Sequence, residues 1–196
     1  FWSFSTLLIL GFIWEKYKPS QSEALIWGLG LGFGYFGLTF FWIVEPFLIK
    51  PSQTGWMAPF AVFFLAGIMA LFPAVSVVVS RALGRRSTGV GRVLVFAAAW
   101  IFFEWVRSWI FTGFPWNLIG SIWTFSDAII QSAALAGVYG LGLLSILVAG
   151  MPAILPDKAG WHTKRSPFRP ISIIILLLFV VWSGGAYRLS EASDDI

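Results

Sequence analysis

Six apolar runs, parted by short joints that carry charge, proline or glycine, leave this chain few folds to choose from. They cover about 1–14, 24–44, 57–80, 93–111, 128–155 and 171–187. A helix needs about 17–25 apolar residues to cross a bilayer, and all but the first run reach that length. Each run is bounded as helix ends are. No stretch alternates polar and apolar with period two, so a β-barrel is not expected. The expected fold is all-α: a polytopic transmembrane helix bundle over residues 1–187, with about six spans visible.

Composition agrees. The chain is 58% hydrophobic and 11% charged, with a mean hydropathy of +0.84, whereas soluble domains carry about 25% charged residues. It could not cover itself with polar surface in water. Its 12 Trp and 20 Phe suit two interfacial belts. With no cysteine, disulfides, a thiolate zinc site and a cysteine nucleophile are ruled out within these residues. The single histidine, His162, lies in a basic loop and reads as solvated rather than as a metal ligand. No metal and no cofactor are expected.

Lys and Arg order the spans. Lys16 and Lys18 lie in the loop 15–23; Arg81, Arg85, Arg86 and Arg92 in 81–92; Lys158, Lys164, Arg165 and Arg169 in 156–169. These loops hold ten of the 13 basic residues and are separated by two spans each. The opposite face receives only Lys50, Arg107 and Arg188. Basic loops stay in the cytoplasm, so Phe1 and Ile196 are both expected on the outer side. The net charge of +4 then reflects topology. No aromatics interleave with a basic groove, so nucleic acid is not an expected partner. The run Phe1–Trp14 has no initiator methionine, basic n-region or cleavage site, and reads as a span that begins upstream. Residues 188–196 read as the start of a linker to a further domain on the outer side.

Trp100–Asn117 places Glu104, Arg107 and four tryptophans at the end of a span. Charge is costly in hydrocarbon, so charged groups there point to a site. Three residues apart, Glu104 and Arg107 share one helix face and can pair. Two readings stand. They brace helices together, or Arg107 holds a lipid phosphate or carboxylate, which a guanidinium does well. Thr112-Gly-Phe-Pro-Trp116 must end the helix, since proline removes a donor and glycine turns cheaply. Gly32-Phe-Gly-Tyr-Phe-Gly37 matches a dinucleotide fingerprint but follows no strand. Its glycines form two small-residue pairs, 28/32 and 30/34, suited to close helix packing. Trp42, Glu45 and Pro46 read as an interfacial helix stop. Gly137-Val-Tyr-Gly-Leu-Gly142 reads as packing glycines, with Tyr139 able to donate a hydrogen bond toward a site. There is no Ser/His/Asp set, His-Glu-x-x-His, P-loop or carboxylate cluster. No residue here is expected to be catalytic.

Glu104-Trp-x-Arg-x-Trp109, Thr112-Gly-Phe-Pro-Trp-Asn117, Gly137-Val-Tyr-Gly-Leu and the glycine-rich run ending at Trp42 together resemble the membrane domain of bacterial apolipoprotein N-acyltransferases, over the whole chain. The resemblance implies a multi-pass protein of the bacterial inner membrane whose C-terminus emerges on the periplasmic side. It implies a nitrilase-like catalytic domain beyond Ile196 and an acyltransferase as the intact enzyme. The acyl donor would be a phospholipid and the acceptor the N-terminal diacylglyceryl-cysteine of an apolipoprotein. The family's Cys, Glu and Lys belong to that outer domain, so none is carried onto Glu104 or Lys158. The membrane part would anchor the enzyme among membrane lipids and form the lipid-entry cavity. Trp116 and Phe114 are expected to line it, Pro115 to fix the turn, and Arg107, Glu104 and Tyr139 to brace it or meet the headgroup. The alternatives are a small transporter, which would need paired repeats with mid-membrane charges, and a non-catalytic membrane scaffold.

Overall fold

The structure, a computed structural model, describes residues 20–87, 89–110, 113, 115–154 and 168–193. The first apolar run, His162 and Phe114 lie outside them. The described residues form helices and turns, with no strand among them. Seven α-helices follow in order: α1 (Gln21–Thr39), α2 (Pro51–Thr54), α3 (Ala58–Leu83), α4 (Val90–Arg107), α5 (Asp127–Ile130), α6 (Ala133–Gly150) and α7 (Phe168–Ser193). Short 3-10 stretches extend or join them, the longest being Phe40–Leu48 after α1 and Ile119–Phe125 before α5.

Four stretches among the described residues are long and apolar enough to cross a membrane: Gln21–Leu48, Pro51–Arg86, Ala133–Gly150 and Phe168–Glu191. The expected count of about six is therefore more than is shown. The fourth run became α4, whose 18 residues include the charged Arg92, Glu104 and Arg107. The fifth did not form one helix. Ser126 caps the short α5, a turn follows, and α6 is bent at Gly137 (φ 65°, ψ −177°). Glycine alone adopts that backbone cheaply. The last helix runs on to Ser193, so the first residues of the expected linker are helical.

Helix α1 starts at a capping box. Ser20 Oγ accepts from the Glu23 backbone N–H, and Glu23 Oε2 accepts from the Ser20 N–H at 2.6 Å. It then packs antiparallel on α3. Gly28 lies against Ala74 and Gly32 against Ala70, while Phe36 joins Ala66 and Met69 nearer the other end. A Cβ built on Gly28 would stand 2.5 Å from Ala74 Cα, and one on Gly32 2.7 Å from Ala70 Cα. Small residues here let two backbones approach without a hydrophobic driving force between helices. The other pair, Gly30 and Gly34, meets nothing within 4 Å among the described residues.

Helix α4 builds the second layer. Ala97 and Trp100 pack with Ile119 from the long 3-10 turn and with Ile146 and Ala149 of α6, while Leu31 and Tyr35 of α1 close the cluster. Helix α7 reaches the bundle through Leu178 and Val181, which meet Trp123, Ile129 and Leu144. Its remaining surface exposes Ile173, Leu176, Phe179 and Val180. Such an apolar surface would be a liability in water and is ordinary in a bilayer.

The 3-10 turn sits so tightly on α6 that Gly120 has no room for a side chain. An added Cβ would collide with the Val138 carbonyl and stand 2.9 Å from the Gly142 nitrogen. Gly120→Ala is expected to cost about 1–3 kcal/mol through overpacking, read as a lower midpoint of thermal unfolding in detergent. Full retention of stability would contradict this placement.

Candidate functional site

Helix α4 ends at Arg107, before the Thr-Gly-Phe-Pro run, where the Ser108 N–H bonds back to the Glu104 and Trp105 carbonyls. Beyond it, the described residues Gly113 and 115–118 form no helix. In an apolar medium every backbone polar group needs an internal partner. The site is built around that demand.

Glu104 and Arg107 lie on the inward face of the last turn of α4, 6% and 1% exposed. Arg107 Nη2 lies 3.8 Å from Glu104 Oε1. Both also reach the loop. Arg107 Nη1 donates to the Trp116 carbonyl at 3.0 Å, and Glu104 Oε1 accepts from the Ile119 N–H at 2.9 Å. The guanidinium sits 4.9 Å over the ring of Phe36, where the π-face attracts a cation. From α1, the Tyr35 hydroxyl donates to the Asn117 carbonyl at 2.9 Å. One turn on, the Thr39 carbonyl accepts from Asn117 Nδ2 at 3.2 Å. Asn117 itself has φ 53°, a left-handed conformation that asparagine tolerates. The Trp116 and Asn117 carbonyls and the Ile119 N–H therefore face inward, onto side chains of α1 and α4.

Leu118 is buried beneath the loop, whereas Pro115 and Trp116 face outward. The Trp116 ring lies 5.5 Å from that of Trp42 in the 3-10 extension of α1, tilted by 43°. Both indoles remain open to whatever surrounds the domain. Trp105 and Trp109, at and just beyond the end of α4, are exposed too, their rings 6.2 Å apart and tilted by 60°.

Of the residues expected at the site, Glu104, Arg107, Pro115 and Trp116 come together here, and Phe114 falls outside the described residues. Tyr139 is half-buried, within electrostatic reach of Arg107, and makes no hydrogen bond among the described residues. Glu45 is exposed in the 3-10 extension, as an interfacial residue would be. Sequence reasoning did not single out Tyr35, Phe36, Thr39 and Asn117 for the site. The available signal was a tyrosine hydroxyl and a threonine four residues apart within an apolar run, facing one way. No group of three or more His, Asp or Glu stands ready to hold a metal among the described residues.

Comparison with known proteins agrees with the motif reading. The model of one domain family, "Apolipoprotein N-acyltransferase N-terminal domain", matches residues 1–151. An apolipoprotein N-acyltransferase of Caulobacter vibrioides is 40% identical over 160 residues, which is 82% of this chain and 29% of that protein. One from Brucella melitensis is 38% identical over 84% of this chain and 30% of its own length. One from Allorhizobium ampelinum is 32% identical over the whole chain and 36% of its own length. The chain thus spans about a third of the length of the curated relatives it matches. No solved structure matches it.

Proposed function

Because the chain belongs to the apolipoprotein N-acyltransferase family, through that family's N-terminal domain, we propose that it is the membrane-embedded part of an enzyme that moves an acyl chain from a phospholipid to the N-terminal diacylglyceryl-cysteine of apolipoproteins. On this reading the domain sits in the bacterial inner membrane with its C-terminus on the periplasmic side. It anchors a catalytic domain that supplies the reacting groups and presents the donor lipid to it. Pro115, Trp116 and Phe114 meet the acyl chain, with Trp42 as the second wall. Glu104, Arg107 and Tyr139 stand behind them.

One observation carries the proposal: a loop whose backbone is tied inward at Trp116, Asn117 and Ile119 while the Trp116 indole is turned out against Trp42. A rigid aromatic pair on an outward surface offers lipid a large contact with little entropy to lose. The burial of Arg107 favours bracing over a headgroup contact, because its guanidinium is already shared among Trp116, Glu104 and Phe36.

Trp116→Ala in the full-length protein should lower acyl transfer up to about tenfold, the loss of one aromatic contact being worth about 0.5–1.5 kcal/mol. The amount of protein in the membrane should not change. Trp109→Ala, at an exposed indole just beyond α4, should leave transfer near normal. Unchanged turnover in Trp116→Ala would remove the acyl-contact role. Bound phospholipid with no turnover in the unaltered protein would favour a scaffold.

A further inference from the structure

The end of the bundle opposite the Trp116 loop carries a patch of charge that the site does not use. Helix α3 closes there in the 3-10 turn Gly84–Arg86, and α4 starts at Val90. The turn is fixed from inside. Gly84 is buried, and a Cβ built on it would stand 3.9 Å from both Arg92 Cγ and Val95 Cγ1 of α4. The Ser87 N–H donates to the Gly84 carbonyl at 3.0 Å, and Arg92 Nη2 donates to the Ser87 carbonyl at 3.3 Å. Arg85 and Arg86 are left exposed on this turn, and neither makes an ion pair or a side-chain hydrogen bond among the described residues.

Charge of one sign gathers around them. Residues 81–92 contain four arginines and no acidic residue. Arg169 is exposed in the first turn of α7, which Ile171 and Ile174 hold beside Val90 and Val93 of α4. Of the described acidic residues only Glu23 lies at this end, and its carboxylate is engaged by the Ser20 N–H and hydroxyl at 2.6 and 2.8 Å. Like charges this close repel, so the patch is stabilised by gathering anions. Apolar surface adjoins it: Leu83, just before the turn, and Leu94, in the second turn of α4, are exposed. A ligand that fits carries negative charge at one height and hydrocarbon just below it.

We propose that Arg85 and Arg86 form a headgroup site for anionic phospholipids, separate from the acyl-donor surface at Trp116. Each guanidinium offers a planar fork of N–H groups that matches two phosphate oxygens. Arg81, Arg92 and Arg169 supply the surrounding field, and Leu83 meets the upper part of the acyl chain. A zwitterionic lipid carries its own ammonium beside the phosphate, so the patch favours a headgroup of net negative charge. The 18 residues of α4 separate this turn from Arg107 by about 27 Å, close to the thickness of a bilayer core. The lipid held here therefore belongs to the other leaflet. On the orientation proposed above, that is the cytoplasmic one, where anionic headgroups attract juxtamembrane arginines. The bound lipid anchors the bundle at a fixed depth and takes no part in acyl transfer.

The test titrates the full chain in neutral detergent micelles with phosphatidylglycerol, and separately with phosphatidylethanolamine of the same acyl chains, reading bound lipid by native mass spectrometry. Phosphatidylglycerol is expected to bind more tightly. Arg85→Gln with Arg86→Gln should weaken its binding about tenfold or more and leave phosphatidylethanolamine unchanged. Lys50→Gln with Arg188→Gln removes the same charge from exposed positions at the opposite end and should have little effect. Arg85→Lys with Arg86→Lys keeps the charge without the fork and should lie between, which preserves the test should the glutamine pair fail to fold. Phosphatidylglycerol bound equally by the wild type and the glutamine or lysine pair would overturn the proposal, as would phosphatidylethanolamine bound as tightly as phosphatidylglycerol. An equal loss in the Lys50 and Arg188 pair would also overturn it, because net charge would then be the cause. Inorganic phosphate that displaces phosphatidylglycerol at matched concentration would overturn the lipid assignment in favour of a free anion.

Discussion

Gly32→Leu is expected to destabilise the fold strongly, while Gly34→Leu, two residues on, should be tolerated. At Gly32 even a bare Cβ would stand 2.7 Å from Ala70 Cα and 3.0 Å from the Ala70 carbonyl oxygen. Both neighbours are main chain, so no side chain can swing aside. The helices must separate, and the contacts of Phe36 with Ala66 and Met69 go with them. Overpacking against backbone on this scale costs about 3 kcal/mol, the upper end of the usual range. At Gly34 nothing lies within 4 Å among the described residues, and leucine favours helix over glycine by about 0.5–1 kcal/mol. Thermal unfolding of both variants in the same detergent measures the difference. Equal behaviour would mean that α1 does not turn its 28/32 face to α3.

Arg107→Ala should be the most damaging single change at the site. It removes the partner of a buried carboxylate and the donor to the Trp116 carbonyl together. Breaking a buried ion pair from one side typically costs about 3–5 kcal/mol, because a charge is left uncompensated. Replacing both charges by apolar residues of similar size often restores stability elsewhere. Here the double variant Glu104→Leu with Arg107→Met is expected to recover only part of the loss. The Ile119 N–H and the Trp116 carbonyl would remain without partners, at about 1–3 kcal/mol each. A double variant as stable as the wild type would show that the pair does not hold the loop. In the full-length protein, Arg107→Lys separates charge from geometry. It keeps the charge but loses the planar fork, so it should protect Glu104 better than it protects acyl transfer.

Much of the fold was legible in the residues. Runs of about 20 apolar residues announce membrane helices whatever their neighbours, since length and hydropathy are local properties. Boundaries were less legible. The run 93–111 stops as an α-helix at Arg107, where the Ser108 N–H is shared between the Glu104 and Trp105 carbonyls and the Trp109 N–H turns to the Val106 carbonyl, a tightening into 3-10 bonding that apolar pattern does not register. The run 128–155 divides, because Gly137 takes a left-handed backbone that apolar periodicity does not register. The two glycine pairs of α1 look alike in sequence, and only packing tells 28/32 from 30/34.

The site divides the same way. That Glu104 and Arg107 could pair followed from their spacing alone, because three residues in a helix place two side chains on one face. The Trp-rich, glycine-proline motif also carried the family resemblance. Whether Arg107 faces a headgroup or the protein could not follow from spacing. That depends on which way α4 is rotated, and the rotation is set by Trp100 and Ala97 burying themselves against α6 and the 3-10 turn. Tyr35 and Asn117 are 82 residues apart in the chain, and their hydrogen bond exists only because α1 and α4 end on the same side of the bundle. Sequence by itself determined the membrane solvent, the helices and the family, all of which rest on local composition and pattern. The tertiary structure alone decided which groups of the loop turn inward and which meet the surroundings, because that is settled by where buried backbone polar groups find partners.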